Sequence, residues 1–227
     1  MQARAAFLAG HRIVDMPFLP HRVPEIAALL ALVCSTQVMA VEPQRWTIDP
    51  AHTRVEFHIA RAGFSHVVGT ISGSTGELQF DPDNWQSARL DVQVPMDRLD
   101  MGDSGWPASF LAPRFLDVQR YPQARLVVDH LSRIEGNHGR ACGKLTLHGV
   151  TRPLCMEITL NRSDRVSLPP LRRTLGFSAT ARLKRSEYGM SRLKSLTGDF
   201  VDLRIEAELL GSEDGNPAAN PTAASAR

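Results

Sequence analysis

The sequence contains few of the residues that nucleic-acid-binding and membrane-spanning proteins depend on. Aromatic residues make up 6% of it, and 26 Lys and Arg nearly balance 24 Asp and Glu, which leaves a formal charge of +2. So small a charge, without interleaved basic and aromatic residues, argues against nucleic acid as a partner. The apolar runs are also far shorter than the roughly 20 residues that a membrane-spanning helix needs.

Sequence motifs for catalysis and for metal binding are missing as well. No histidine lies in an HExxH motif, and no set of Cys and His has the spacing of a zinc site. No GxSxG nucleophile motif precedes a helical pattern. His52 and His58 alternate with apolar residues, so we expect them to face solvent. The sequence therefore predicts no enzyme, no metal site and no cofactor.

The first forty residues differ in composition from the rest of the chain. A short apolar segment over Val23–Ala40 follows His21 and Arg22. It ends in a pattern that fits cleavage by a signal peptidase after Ala40. We therefore predict a signal peptide over residues 1–40, with residues 1–15 as an overcalled start, and export to the periplasm. An uncleaved anchor and a lipoprotein modified at Cys34 are the alternatives. Residues 41–210 are predicted to form one domain, and residues 211–227 a disordered tail.

Apolar residues occupy every second position in many short segments of the chain. From Asp199 to Leu210, one parity carries Val201, Leu203 and Ile205, whereas the other carries charged residues. This period of two is typical of strands with one buried face. Many such strands, without long helical patterns between them, predict an all-β antiparallel sheet that forms a barrel or a sandwich. The interior of a barrel of about eight strands is either filled by side chains or open to a ligand.

The mature protein would retain Cys142 and Cys155 as its two cysteines. They flank a predicted hairpin whose strands run over residues 142–147 and 154–160 and are joined through residues 148–152. Each cysteine alternates in step with the polar residues of its strand, so both sulfur atoms are expected on the polar face. A disulfide between them suits an oxidising compartment, and two free thiols are the alternative because the register is not fixed by sequence.

Several segments together resemble the YceI-like family of periplasmic polyisoprenoid-binding proteins, which have a lipocalin-like barrel. They follow the family's order and are residues 46–71, 76–82, 114–126, 143–154, 175–190 and 198–210. The resemblance implies an extended antiparallel barrel with one or two short helical connections. It also implies an apolar channel that holds an isoprenoid lipid of the polyprenyl phosphate or isoprenoid quinone type.

The channel residues follow from the resemblance combined with strand parity. The predicted lining consists of Phe57, Ile59, Phe64, Val92, Val94, Phe110, Phe115, Leu126, Val128, Leu145, Leu147, Phe177 and Ala179. Phe64, Phe110 and Phe115 lie in predicted connections that would close the channel. Three motifs shared with the family, at residues 49–52, 149–151 and 185–189, are assigned to turns and barrel ends. Trp106 and Pro107 depart from the family and make one connection more apolar and stiffer.

Two other functions stay open at this point. One is a scaffold or partner for a membrane protein such as a redox cytochrome, and exposed apolar residues around Trp106 would favour it. The other is an enzyme acting on an amphiphilic lipid, for which His66, Asp103 and Arg61 are the candidate polar residues. A homodimer is compatible with each of these functions.

Overall fold

The computed structural model describes residues 43–103, 105–165 and 172–211, with Trp106 and Pro107 described by their backbone alone. The predicted signal peptide and residues 212–227 of the predicted tail lie outside this part of the chain. The strands are β1 Gln44–Ile48, β2 Arg54–Arg61, β3 Ser65–Ser72, β4 Thr75–Phe80, β5 Arg89–Pro95, β6 Leu99–Asp100, β7 Gln123–Glu135, β8 His138–Leu147, β9 Val150–Arg165, β10 Arg173–Lys184 and β11 Thr197–Gly211. Helix α1 spans Trp106–Leu111, and short 3-10 turns span Trp85–Ser87, Met96–Arg98 and Arg185–Tyr188.

Eight strands form a closed antiparallel barrel. Their order is β1-β4-β5-β7-β8-β9-β10-β11, and the pairing of β11 with β1 closes the ring. Strands β2, β3 and β6 extend the same sheet from β11. The predicted all-β barrel of about eight strands with a short helical connection is therefore confirmed, and the sandwich alternative is wrong.

The barrel wall is interrupted where β1 gives way to β2 and where β3 gives way to β4. Both β1 and β2 pair with the same edge of β11, since Ile48 lies opposite Leu209 and Val55 lies opposite Ile205. On the far side of these two strands, β4 pairs with β1 and β3 pairs with β2. Thr53 and Ser74 lie at these two interruptions, and both are buried residues that border the main cavity defined below.

The alternation of apolar and polar residues predicted the two faces of the barrel correctly. In β11, Leu203 and Ile205 face the interior, whereas Asp202 and Arg204 face outward. Asp202 forms an ion pair with Arg182 of the neighbouring strand on the outer surface, 2.5 Å long. The last residue of β11 is Gly211, so the strand continues one residue past the predicted domain boundary.

The hairpin between β8 and β9 is tighter than predicted. His148 and Gly149 alone form its turn, with φ angles of +50° and +74°, and Val150 already pairs with Leu147. Two consecutive residues with positive φ form the turn that suits the twist of a β-hairpin. His148 Nδ1 also donates a hydrogen bond to the carbonyl oxygen of Tyr188, at 3.0 Å, which ties the turn to the 3-10 segment after β10.

Cys142 and Cys155 lie directly opposite each other across β8 and β9. Their sulfur atoms are bonded, 2.07 Å apart. Their neighbours Ala141 and Leu154 point into the core, so the disulfide lies on the outer surface of the barrel. It links two strands that the register has already aligned.

Candidate functional site

The centre of the barrel contains two adjoining apolar cavities. The larger, which we call the main cavity, has a volume of about 220 Å³, and the smaller, the end cavity, about 110 Å³. Six residues border both cavities, namely Val55, Ile71, Met96, Leu147, Leu183 and Leu203. One water needs only about 10–15 Å³, so the main cavity is large enough for a ligand of many atoms. The barrel is therefore hollow, and we call the two adjoining cavities together the chamber.

The structure places twelve of the thirteen predicted channel residues on the walls of these cavities. The main cavity is lined by Val92, Val94, Leu126, Val128, Leu145, Leu147, Phe177 and Ala179. Phe57, Ile59, Phe110, Phe115 and again Leu147 line the end cavity. Strand parity and the family resemblance thus identified the inner surface, and the role of these residues in holding a ligand is developed below.

Phe64 is the exception, and its predicted place in the channel is wrong. It follows Ala62 and Gly63, which have φ angles of +49° and +76° and form the turn between β2 and β3. Its backbone nitrogen donates a hydrogen bond to the carbonyl oxygen of Arg61, and its side chain is 89% exposed. The tight turn leaves Phe64 at a tip outside the barrel, where it borders neither cavity.

Aromatic side chains close the barrel beside the main cavity. Trp46, Phe80 and Trp85 are all buried, and the rings of Phe80 and Trp85 lie edge to face with centroids 5.7 Å apart. Trp46 Nε1 donates a hydrogen bond of 3.4 Å to the carbonyl oxygen of Phe80. These contacts fix large rings at one end of the main cavity, and the end cavity lies beyond its other lining residues.

The connection between β6 and β7 covers the end cavity. Phe110 in α1 stacks on Phe115, with ring centroids 5.2 Å apart, and both rings line the cavity. The backbone nitrogen of Leu116 donates a hydrogen bond to the carbonyl oxygen of Phe110, which holds the chain after α1 against the helix. Trp106 and Pro107 are the residues at which this connection was predicted to depart from the family, and their side chains are not among those that the structure describes.

Arg185 borders the end cavity and is 2% exposed. Its Nε, Nη1 and Nη2 atoms donate hydrogen bonds to the carbonyl oxygens of Gly198, Met190 and Thr197, at 2.8, 2.5 and 2.9 Å. Burial lowers the pKa of Arg185, although the nearby charge of Asp199 opposes that effect. The guanidinium group therefore holds the start of β11 in place, which is the barrel-end role that the sequence assigned to this segment.

The polar residues considered for catalysis do not converge on the chamber. His66, Asp103 and Arg61 are exposed, and none of them borders either cavity. Asp103 Oδ1 accepts a hydrogen bond from the backbone nitrogen of Gly105, at 2.8 Å, which is a turn contact. None of these three side chains is therefore placed to act on a molecule inside the described cavities.

Asp49, His52 and Glu208 form a polar cluster on the outside of the barrel, with potential ligand atoms within 4.8 Å of one another. Asp49 Oδ1 accepts a hydrogen bond from the backbone nitrogen of Ala51, and its Oδ2 atom lies 2.8 Å from His52 Nδ1. These contacts shape the turn between β1 and β2. They account for the positions of the Asp49 and His52 side chains.

The sequence did not single out two polar residues of the main cavity, Thr53 and Ser74. Among the described residues that line this cavity, they are the only polar ones. Both lie at the interruptions of the wall, where strand parity gives no prediction. Leu154 and Met156 also line the cavity. The predicted lining omitted those two, although the alternation along β9 would have identified them.

No helix among the described residues is long and apolar enough to cross a membrane.

Comparison with known proteins supports the same fold. The model of the YceI-like domain matches residues 46–209. A UPF0312 protein from Pseudomonas savastanoi pv. phaseolicola is 28% identical over 180 residues, which cover 78% of this chain and 91% of that protein.

Two solved structures share the barrel. Burkholderia cenocepacia BcnA matches with a TM-score of 0.63 at 20% identity, over 71% of this chain and 98% of that one. A polyisoprenoid binding domain from Saccharophagus degradans matches with a TM-score of 0.56 at 12% identity, over 73% of this chain and 98% of that one. At these identities, the likeness concerns the fold.

Proposed function

Because the chain belongs to the YceI-like domain family, we propose that it is a periplasmic carrier that binds one long isoprenoid lipid inside its barrel. The lipid would be of the polyprenyl phosphate or isoprenoid quinone type. The observation that carries this proposal is the apolar chamber, whose walls come from the inner faces of the barrel strands. The structural neighbour from Saccharophagus degradans, a polyisoprenoid binding domain, supports the choice of ligand.

The composition of the chamber suits a hydrocarbon tail. Leu, Val, Ile, Met, Phe and Ala provide nearly all of its lining. Transferring a methylene group from water to such a surface stabilises the complex by about 0.8 kcal/mol, so several isoprene units suffice for firm binding without a polar anchor. Part of this gain is offset by the entropy lost when a flexible tail is confined.

The periplasmic location is part of the proposal and has two supports. Residues 1–40 have the composition of a signal peptide. Cys142 and Cys155 form a disulfide on the outer surface, and such bonds persist in oxidising compartments. An exported protein with a dry interior can carry a water-insoluble lipid across an aqueous space.

We further propose that the carrier leaves its ligand chemically unchanged and needs no cofactor. The polar side chains of the described residues that border the chamber are Thr53, Ser74 and Arg185. Arg185 directs its donors to backbone carbonyl groups, so it is not positioned to activate a substrate. A membrane partner such as a cytochrome, and a homodimer, stay predictions.

Identification of the lipid carried by the exported protein would test this function. The full chain is expressed with its own leader in a related bacterium, purified from the periplasm without detergent, and extracted with organic solvent for mass spectrometry. We expect near-stoichiometric isoprenoid lipid in the extract. An unrelated exported protein, purified in parallel, measures carry-over. An extract containing only fatty acids or phospholipids, or no lipid at all, would overturn the proposal.

A further inference from the structure

Three large apolar side chains are exposed at one end of the barrel. Phe64 is 89% exposed, and Leu193 and Leu196 are each about half exposed. They lie in two turns, over residues 61–66 and 191–196, in which every residue is exposed. We call these turns the two tips. Single exposed apolar residues are ordinary on a protein surface, whereas several together indicate a contact surface.

Backbone hydrogen bonds join the two tips. The backbone nitrogen of Ala62 donates a hydrogen bond of 2.9 Å to the carbonyl oxygen of Leu196. Within the second tip, the backbone nitrogen of Leu196 donates one of 3.0 Å to the carbonyl oxygen of Leu193. Arg61 in the first tip also pairs with Thr197, the residue that follows the second tip. The fold therefore holds the tips side by side, together with their exposed apolar side chains.

The two tips lie at the end of the barrel where the end cavity is. Ile59 precedes the first tip in β2, Met190 directly precedes the second tip, and both residues line the end cavity. The turn between β7 and β8, at residues 136–137, lies at the opposite end. This follows because β8 runs from that turn to His148, whose ring is bonded to Tyr188 beside the second tip.

The two tips carry positive charge and no negative charge. Arg61, Arg192 and Lys194 are exposed, and neither tip contains Asp or Glu. Asp199, which follows the second tip, lies 3.1 Å from Lys194 and also accepts hydrogen bonds from Ser186, so it offsets part of this charge. The excess of cations favours an anionic partner. Each Lys or Arg beside an anionic lipid surface strengthens binding about fivefold.

The arrangement of these residues fits an anionic bilayer better than a folded protein. In a protein interface, the apolar residues form a continuous centre that excludes water, and polar residues surround it. Along residues 191–196, in contrast, Ser, Arg and Lys separate the two leucines, and Phe64 is flanked by Gly63 and Ser65. A bilayer accepts such separate side chains, because each inserts among the acyl chains while the neighbouring cations reach the phosphate groups.

We propose that the two tips dock the barrel on a bilayer that contains anionic lipids, with Phe64, Leu193 and Leu196 inserted below the head groups. The end of the barrel next to the end cavity then faces the lipid. This inference goes beyond the proposed function, because it concerns the contact between the protein and a membrane and does not depend on which molecule occupies the chamber.

Flotation with lipid vesicles tests this docking. The protein purified after export is mixed with vesicles of phosphatidylglycerol and phosphatidylcholine, which we call the mixed vesicles, or with vesicles of phosphatidylcholine alone. We expect binding to phosphatidylcholine alone to be at least about tenfold weaker, and binding to mixed vesicles to weaken as salt is added.

Variants at each end of the barrel identify the surface. We expect Phe64→Ser to weaken binding to mixed vesicles about tenfold, and Arg192→Gln about fivefold. Ile134→Ser and Arg162→Gln are the matched controls, because they alter an exposed Ile and an exposed Arg near the opposite end. They should change binding less than about twofold. Thermal unfolding of Phe64→Ser should match that of the wild type, since the ring is exposed.

A fluorescent label shows which end of the barrel enters the lipid. An environment-sensitive dye is attached to Ser65→Cys in the first tip or to Ser163→Cys in the exposed end of β9. Mixed vesicles should shift the emission of the Ser65→Cys label to the blue and protect it from iodide quenching. The Ser163→Cys label should show neither change.

Several results would overturn the docking. They are absence of binding to mixed vesicles, equal binding to both kinds of vesicle, and equal losses in Phe64→Ser and Ile134→Ser. A wild type that is dimeric without vesicles, and monomeric as Phe64→Ser, would assign the tips to contact between two copies of the chain instead. The lipid content of the chamber, which the mass spectrometry experiment measures, is unaffected by each of these results and decides the proposed function separately.

Discussion

Phe80 and Phe177 meet edge to face inside the barrel, with ring centroids 5.5 Å apart. Phe80 is the last residue of β4 and Phe177 lies in the first half of β10, so the two rings come from well-separated strands of the barrel. Both rings border the main cavity. Trp85 also packs against Phe80. The two rings therefore limit the main cavity at the end of the barrel where Trp85 lies, away from the end cavity.

Removing one of these rings should lengthen the chamber. We expect Phe177→Ala to select longer polyprenols from a mixture of chain lengths, as identified by mass spectrometry of the bound fraction. The variant should also lose about 3 kcal/mol of unfolding free energy, measured by chemical denaturation, which is the low end for loss of a phenyl ring because Phe177 is only partly buried. Phe200→Ala removes the same ring from a position that is 56% exposed and should leave chain-length selection unchanged. An unaltered length preference in Phe177→Ala would show that the chamber does not end at this ring.

The same region shows how far the sequence determines the site. A period of two assigns Leu203 and Ile205 to the inner face because a strand presents alternate side chains to opposite sides. The prediction failed for Phe64, since positive φ angles at Ala62 and Gly63 turn the chain away from the barrel there. Ser74 was not found because it lies in a break between strands, where no periodicity applies. The alternation therefore identifies the wall, whereas the breaks and turns require coordinates.

Filling the chamber should abolish lipid binding without unfolding the barrel. Ala179 is buried on the inner face of β10 and borders the main cavity. Ala179→Leu would place additional carbon atoms in that space, and we expect lipid recovery from the purified protein to fall by about tenfold or more, since each displaced methylene contact is worth about 0.8 kcal/mol. Unfolding free energy should change by less than about 1.5 kcal/mol, because the cavity accepts the larger side chain.

Thr180→Leu provides the control for that experiment. Thr180 is the next residue of β10 and is exposed on the outer face. The variant adds a leucine at nearly the same height of the barrel and should keep its lipid. Loss of lipid from both variants, or from neither, would argue against a ligand in the main cavity.

Arg185 should be essential for the end of the barrel next to the end cavity. Arg185→Met removes the guanidinium donor from one buried and two partly buried carbonyl groups, and we expect a loss of about 3–5 kcal/mol in unfolding free energy, since hydrogen bonds to a charged group contribute about 1.5–3 kcal/mol each and do not add fully. Arg182→Met removes an exposed arginine that is paired with Asp202, and such surface pairs contribute about 0–1 kcal/mol. Denaturant titration of both variants measures the difference. Similar losses in the two would contradict a special role for Arg185.

The disulfide should stabilise the barrel without contributing to ligand binding. Cys142 and Cys155 are 13 residues apart, and closing a loop of about that length stabilises a protein by about 3 kcal/mol in the chain-entropy model. The double variant Cys142→Ser, Cys155→Ser should therefore unfold at lower denaturant concentration and retain its lipid under native conditions. Dithiothreitol should lower the wild-type midpoint to near that of the variant and leave the variant unchanged. A wild-type midpoint that does not respond to the reductant would contradict this prediction.

The pairing of Asp49 with His52 predicts a pH dependence at the turn between β1 and β2. The hydrogen bond to Asp49, together with the negative charges of Asp49 and Glu208, raises the pKa of His52 above its ordinary value of 6.5. Partial burial favours the neutral form of Asp49, but the hydrogen bonds with His52 and Ala51 outweigh it and lower the pKa of Asp49. The pair therefore stabilises the fold between these two pKa values. Its contribution is lost as pH falls through the lowered pKa of Asp49 or rises through the raised pKa of His52.

Asp49→Asn tests this relationship because the amide can still accept the hydrogen bond from Ala51. We expect the pKa of His52, followed by NMR chemical shifts, to move down towards its ordinary value of about 6.5 in this variant. The stability difference from the wild type should be larger at pH 5.5 than at pH 9, where His52 is neutral in both proteins. Asp91→Asn, which removes the partner of Arg125 on β7, should leave the His52 titration unchanged. An unaltered His52 titration in Asp49→Asn would mean that the two side chains are not paired in solution.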